Sequence, residues 1–275
     1  GLVVTYNGTV IAQGLLSYEG TMTGVGGVAV GLGSTDVGAS EAGTEAVGQS
    51  LKLTGSGSAF NDFTWAGPSA DSPGAVNAGQ TITAGGPITI GSDIGSGTAT
   101  FSGGITLNGN VSATAAAGGI TAFSGNITGS GGIDKVGAGT VVLSGVNTYS
   151  GGTTINGGTL SVAADENLGD SSGGITLGGG TLELTSGFTL GSGRTVTAAA
   201  STTSRLAVTS GTVSYGGAFA GSGGLDKAGA GQLTLGNAST GYTGSFTISA
   251  GTVELTAANA FANATVTQTG GTLLL

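Results

Sequence analysis

The sequence predicts an all-β chain whose short strands wind around a common axis as a parallel β-helix, or β-solenoid. Three observations carry this. Glycine accounts for 61 of 275 residues, against only three prolines. Apolar residues alternate with Thr, Ser or Glu in short runs, which is the period of a strand and not of a helix. A stretch of more than thirty residues recurs at a fixed offset, the mark of a repeat architecture.

The duplication is explicit. Residues 129–143 read GSGGIDKVGAGTVVL and residues 221–235 read GSGGLDKAGAGQLTL, 92 residues apart without a gap. The match continues past one inserted residue, with NTYSGGTTINGGTLSV (147–162) lying over TGYTGSFTISAGTVEL (240–255). The two repeat units are read as 129–168 and 221–261. A shorter beat runs through both: Gly-Gly-Thr-Leu cores begin near residues 159 and 181, about one solenoid coil apart. The strands end at Gly-Gly, Asn-Gly or Ala-Gly, where the backbone can take positive φ and turn.

Each such strand offers only two or three inward side chains, and few hairpin dipeptides separate neighbours. Stacked coils bury those side chains as a column with rungs about 4.8 Å apart. At roughly 20–23 residues per coil the whole chain would make roughly twelve to thirteen rungs. A β-sandwich is the alternative. No helix is predicted. The solenoid is assigned to residues 76–275. Residues 1–75 lack the clear motif, and they hold Trp65 and two of the three prolines. Their stretch Phe60-Asn61-Asp62-Phe63-Thr64-Trp65 reads as a lid over the solenoid's open end or as an irregular rung.

Composition excludes several chemistries. Without Cys or His there are no disulfides, thiolate or imidazole metal sites, or Ser-His-Asp triads. A net charge of −9 without a basic stripe argues against nucleic acid and anionic lipid as partners. No apolar run approaches the ~18 residues of a membrane-spanning helix. The opening Gly1-Leu2-Val3-Val4 shows no basic leader, and Leu273-Leu274-Leu275 reads as mid-strand. A processed chain, or a segment of something longer, is therefore expected.

The segment GGIDKVGAGTVVLSGVNTYSGGTTINGGTLSVA (131–163) resembles the passenger-associated β-strand repeat of bacterial autotransporters. Its first half is carried by Ile133, Lys135, Gly137, Gly139, Val141, Leu143 and Gly145. Asn147, Tyr149, Gly151, Thr153, Ile155, Gly158, Thr159 and Leu160 carry the second. The later copy keeps Leu225, Lys227, Gly229, Gly231, Leu233, Leu235, Tyr242, Gly244, Ile248, Gly251, Thr252 and Val253, and departs at Phe246, where Thr is usual. The resemblance implies a right-handed parallel β-helix exported across the outer membrane of a Gram-negative bacterium. Absence of Cys suits a chain that crosses the periplasm unfolded.

Candidate chemistry is sparse. The best local cluster is Asp165, Glu166 and Asp170, with Arg194 about one rung beyond. Paired carboxylates could cleave a glycoside if held ~5–10 Å apart, or oxygen ligands could hold a cation; the plainer reading is a solvated turn. Asp134-Lys135 and Asp226-Lys227 recur at a strand edge. Adjacent residues point to opposite faces, so each lysine is read as marking an exposed corner with its charge in water. Tyr149 and Tyr242 read as corner packing, with a sugar-binding aromatic face as the alternative. Neither phosphate-loop nor calcium-nonapeptide signatures are met, and no cofactor is expected.

The function expected is that of a non-enzymatic extracellular solenoid acting as adhesin, spacer or surface-structure element. The alternatives are a subunit of a self-assembling filament or surface layer and, further off, a carbohydrate-active enzyme using carboxylates alone. Partners would be a host or neighbouring cell surface, glycans, or copies of the chain itself.

Overall fold

In the computed structural model, residues 89–275 apart from Ile94 and Asn259 are described in full, together with the backbone of several strands between residues 2 and 88. The chain forms two compact units, residues 1–73 with 77–80, and residues 74–76 with 81–275. In the first, Leu2–Tyr6 pairs antiparallel with Thr9–Ser17, and Gln49–Gly57 pairs antiparallel with Phe63–Ala70. The proposed aromatic lid at residues 60–65 lies outside the residues whose side chains are described.

The second unit is a parallel β-solenoid with three faces. Face one stacks eight strands, from Ile88–Ser92 to Gly241–Tyr242, and face two stacks nine, from Gly97–Phe101 to Thr265–Gln268. Face three is in two parts. Gln80–Ala84, Gly104–Leu107 and Ile127–Gly129 cover the first turns, and five strands from Phe188–Leu190 to Thr272–Leu274 cover the last. The gap between them holds the corner around Tyr149 and a short 3-10 turn, Asp165–Leu168. One strand per turn on face two gives nine turns. The expected twelve to thirteen rungs were too many, because that count wound the whole chain at ~22 residues per coil, whereas the first unit pairs strands antiparallel.

The core follows from alternation. A turn brings each inward side chain onto one of similar character: Val141 lies on Leu160, then Leu182, then Leu206, while Leu143 lies on Val162, Leu184 and Val208. Leu143 is 1% exposed and Ile155 is 0% exposed. Fully burying each such side chain stabilises the fold by about 1.5–3 kcal/mol, so the rod is held by many similar increments. Paired strands are joined by backbone ladders, so each column stacks one turn upon the next.

The two repeat copies do not lie on the same faces. Following the pairing from Lys135 leads through Ile155, Leu177 and Ala198 to Gly221 in four turns on face one. Lys227 lies beyond this, on the next strand, which belongs to face two. The 92-residue offset is thus four turns plus one step around the axis. What the copies share is interior. Ile133, Val141, Leu143, Ile155 and Leu160 and their counterparts Leu225, Leu233, Leu235, Ile248 and Val253 are all buried. Outward positions change, Thr140 and Val142 becoming Gln232 and Thr234.

Candidate functional site

The recurring lysines are inside the protein. Lys135 and Lys227 are both 0% exposed, which corrects the expected exposed corner. The reason is parity. Lys135 stands two residues after the inward Ile133, so it shares that face, and its stem takes a place in the column between Ala113 and Ile155. Lys227 likewise lies between Leu206 and Ile248. The alternation Ile133–Lys135 and Leu225–Lys227 carried this signal in the sequence.

Backbone oxygens replace water around each ammonium. Lys135 Nζ donates to the carbonyls of Val136 at 2.7 Å, Gly137 at 2.9 Å and, from the following turn, Gly157 at 2.9 Å. Lys227 Nζ lies 2.9–3.1 Å from the carbonyl oxygens of Ala228, Gly229, Gly231 and, one turn on, Ala250. The motif glycines make room for this. Gly137 and Gly229 turn the chain at φ +74° and +76°. A Cβ on Gly158 would sit 2.7 Å from Lys135 Nζ, and one on Gly251 would sit 2.8 Å from Lys227 Nζ. Lys, two following glycines and one glycine of the next turn therefore build a single object. Desolvation pushes both amines down from 10.5 to about 8.

The acidic cluster is also a cage. Arg194 is 1% exposed, and its Nε donates to Asp165 Oδ1 at 2.7 Å. Its Nη groups donate to the carbonyls of Asp165, Leu168, Gly169, Asp170 and Gly173 at 2.7–3.2 Å. The guanidinium thereby shapes the bulge 165–173 that interrupts face three. This corrects the solvated-turn reading for Asp165 and Arg194, whose planar fork suits many acceptors at once. Glu166 and Asp170 remain exposed. The Asp170 carboxylate accepts from the backbone N–H and hydroxyl of Ser172, which hold it below the usual range. Among the described residues no group of three Asp or Glu side chains is placed to hold a metal ion. Three of the four cations among the described residues are thus enclosed in rings of oxygen; the fourth, Arg205, is exposed and lies 3.5 Å from Asp226.

The corner tyrosines lie inside the rod. Tyr149 and Tyr242 are fully buried. Tyr149 Oη lies 2.6 Å from Thr153 Oγ1. In the second copy Phe246 stands at that place, and Tyr242 Oη instead reaches the carbonyls of Ser245 at 2.6 Å and Gly223 at 3.0 Å. Phe246 turns to Phe261, with ring centroids 4.3 Å apart. Tyr215, outside both motif copies, does the same work on face three, its hydroxyl 2.8 Å from the carbonyls of Arg194 and Ala218. Burial pushes all three phenols up to about 12. Sequence reasoning also missed Asn167, whose amide donates to Gly145 O while its backbone carbonyl accepts from Asn147 Nδ2 at 2.6 Å, a step between corners of successive turns.

Two segments, residues 133–162 and 225–255, match the family described as passenger-associated-transport-repeat. No curated protein and no solved structure matches the chain. The matched segments begin just before each caged lysine and run to the end of the second strand after the tyrosine corner. Their shared chemistry is therefore the cage, the corner and the column between them.

Proposed function

We propose that this chain, which carries two passenger-associated-transport repeats in a parallel β-solenoid as autotransporter passenger domains do, works as a non-enzymatic rod at the bacterial cell surface or released from it. Its role is to hold apart, or to attach, what lies at its ends and along its faces. The observation that carries this reading is the direction of its chemistry. Three of the four described cations and the buried tyrosines are turned inward, and Lys135, Lys227, Arg194, Tyr215 and Tyr242 join one turn to the next. One outward row, on face one, is Thr154, Thr176 and Thr197 in register. Recognition of a glycan or cell surface would rest on many weak polar contacts along such rows.

The test uses the whole chain on glycan arrays and intact cells. Changing Thr154, Thr176 and Thr197 together to Glu should leave the melting temperature within a few degrees, since the row is outward, and should lower any binding carried by face one. Turnover of a polysaccharide by the wild-type protein, abolished by substituting Glu166 and Asp170, would sink the non-enzymatic reading. Among the described residues no helix is long and apolar enough to cross a membrane.

A further inference from the structure

The two buried amines have closely similar surroundings although they stand on different faces of the rod, in columns with different neighbours. What they share is the oxygen ring: two successive carbonyls after the lysine, and one from the turn that follows. No carboxylate contributes to either ring. Asp134 and Asp226 point outward beside them, and Arg205 faces Asp226. Glycine at 158 and 251 leaves the space the nitrogen occupies. The ring is therefore built for a compact group with several N–H donors, and the lysine stem delivers it.

We infer that each repeat encloses a binding cage for a primary amine head group, filled in the native chain by its own lysine, and that its N–H donors fasten one turn of the solenoid to the next. Strong N⁺–H···O bonds to carbonyls of two turns cost a buried ammonium far less than an unpaired burial would. Both amines remain charged at neutral pH, since burial lowers them only to about 8.

The experiment separates cation binding from plain filling of space. In Lys135→Ala and Lys227→Ala chains the tether is gone and the ring remains. Both should melt several degrees below the wild type. Methylammonium chloride should restore half or more of that loss in a saturable manner. Tetramethylammonium chloride at equal ionic strength has no N–H to donate, so it should restore none. Equal effects of the two salts, or an equal rise in the wild type, would overturn the inference. So would a Lys135→Met chain that melts with the wild type, because Met keeps the length of the stem and discards the N–H donors. Should the alanine chains not fold, the wild-type protein still decides. With 15N-labelled lysine at neutral pH, two amines should appear as slowly exchanging groups coupled to three protons; exchange as fast as in free lysine would refute the cage.

Discussion

A long polar side chain enters an apolar column only when its end finds partners there, and Lys135, Lys227 and Arg194 each find theirs in the backbone. That arrangement makes individual residues sensitive in ways their exposure in the sequence would not suggest. Replacing Arg194 by Met should cost about 3–5 kcal/mol, since five carbonyls and the Asp165 carboxylate would lose their donor; urea unfolding would measure it. Gly251→Ala should cost about 2–4 kcal/mol, from a side chain at φ +67° and from crowding of the Lys227 amine. A Gly236→Ala chain is the control, because a Cβ there meets only ordinary contacts. The Arg205–Asp226 pair, 3.5 Å apart with its arginine exposed, should contribute little, within ~1 kcal/mol.

At the scale of a strand or corner, the inward columns and the tyrosines set what each turn can tolerate. Leu143 sits between Phe123 and Val162, so Leu143→Ala should cost about 2–5 kcal/mol, and Leu143→Asp more, as an unpaired charge among apolar side chains. The second copy differs from the first at one revealing position. Phe246 belongs to a cluster with Phe219, Tyr242 and Phe261 near the last turns. Phe246→Thr should therefore cost about 3 kcal/mol even though Thr is the residue the first copy uses. Amide exchange should speed up over residues 242–261 and stay unchanged around Tyr149, since each turn contacts mainly its neighbours.

Over the described turns of the solenoid, stability is a sum of turn-on-turn terms, and the pH dependence they contribute follows from a few buried groups. The native lysines lose their protons near pH 8, but the unfolded chain keeps them until about 10.5. Between those values the unfolded state holds more protons, so stability rises with pH: the neutral amine keeps two N–H donors for the ring and no longer carries a buried charge. The three phenols act in the opposite sense. Their ordinary value is 10.0 and the native one about 12, so above pH 10 the unfolded chain deprotonates first and stability falls. Thermal melts should thus show a higher midpoint at pH 9.5 than at 7.5, and a decline beyond pH 10. The rise should vanish in a Lys135→Met, Lys227→Met double variant. A flat profile from pH 7.5 to 9.5 in the wild type would contradict the burial of the amines.

Alternation and repetition in the chain pointed to strands, to stacked coils, and to the inward set that includes Leu143, Ile155 and Leu235. These depend on local spacing, because successive residues of a strand face opposite ways and a repeat of about 22 residues returns the chain to the same face. Parity also held the burial of Lys135 and Lys227, although charge made an exposed corner the natural reading. Only the folded chain decided that the repeat steps to a new face after four turns, that Arg194 closes the bulge at 165–173, and that the amines lie among carbonyls from two turns. The physical reason is that backbone carbonyls carry no sequence label. Where they converge depends on how many residues each corner spends before the chain comes round again.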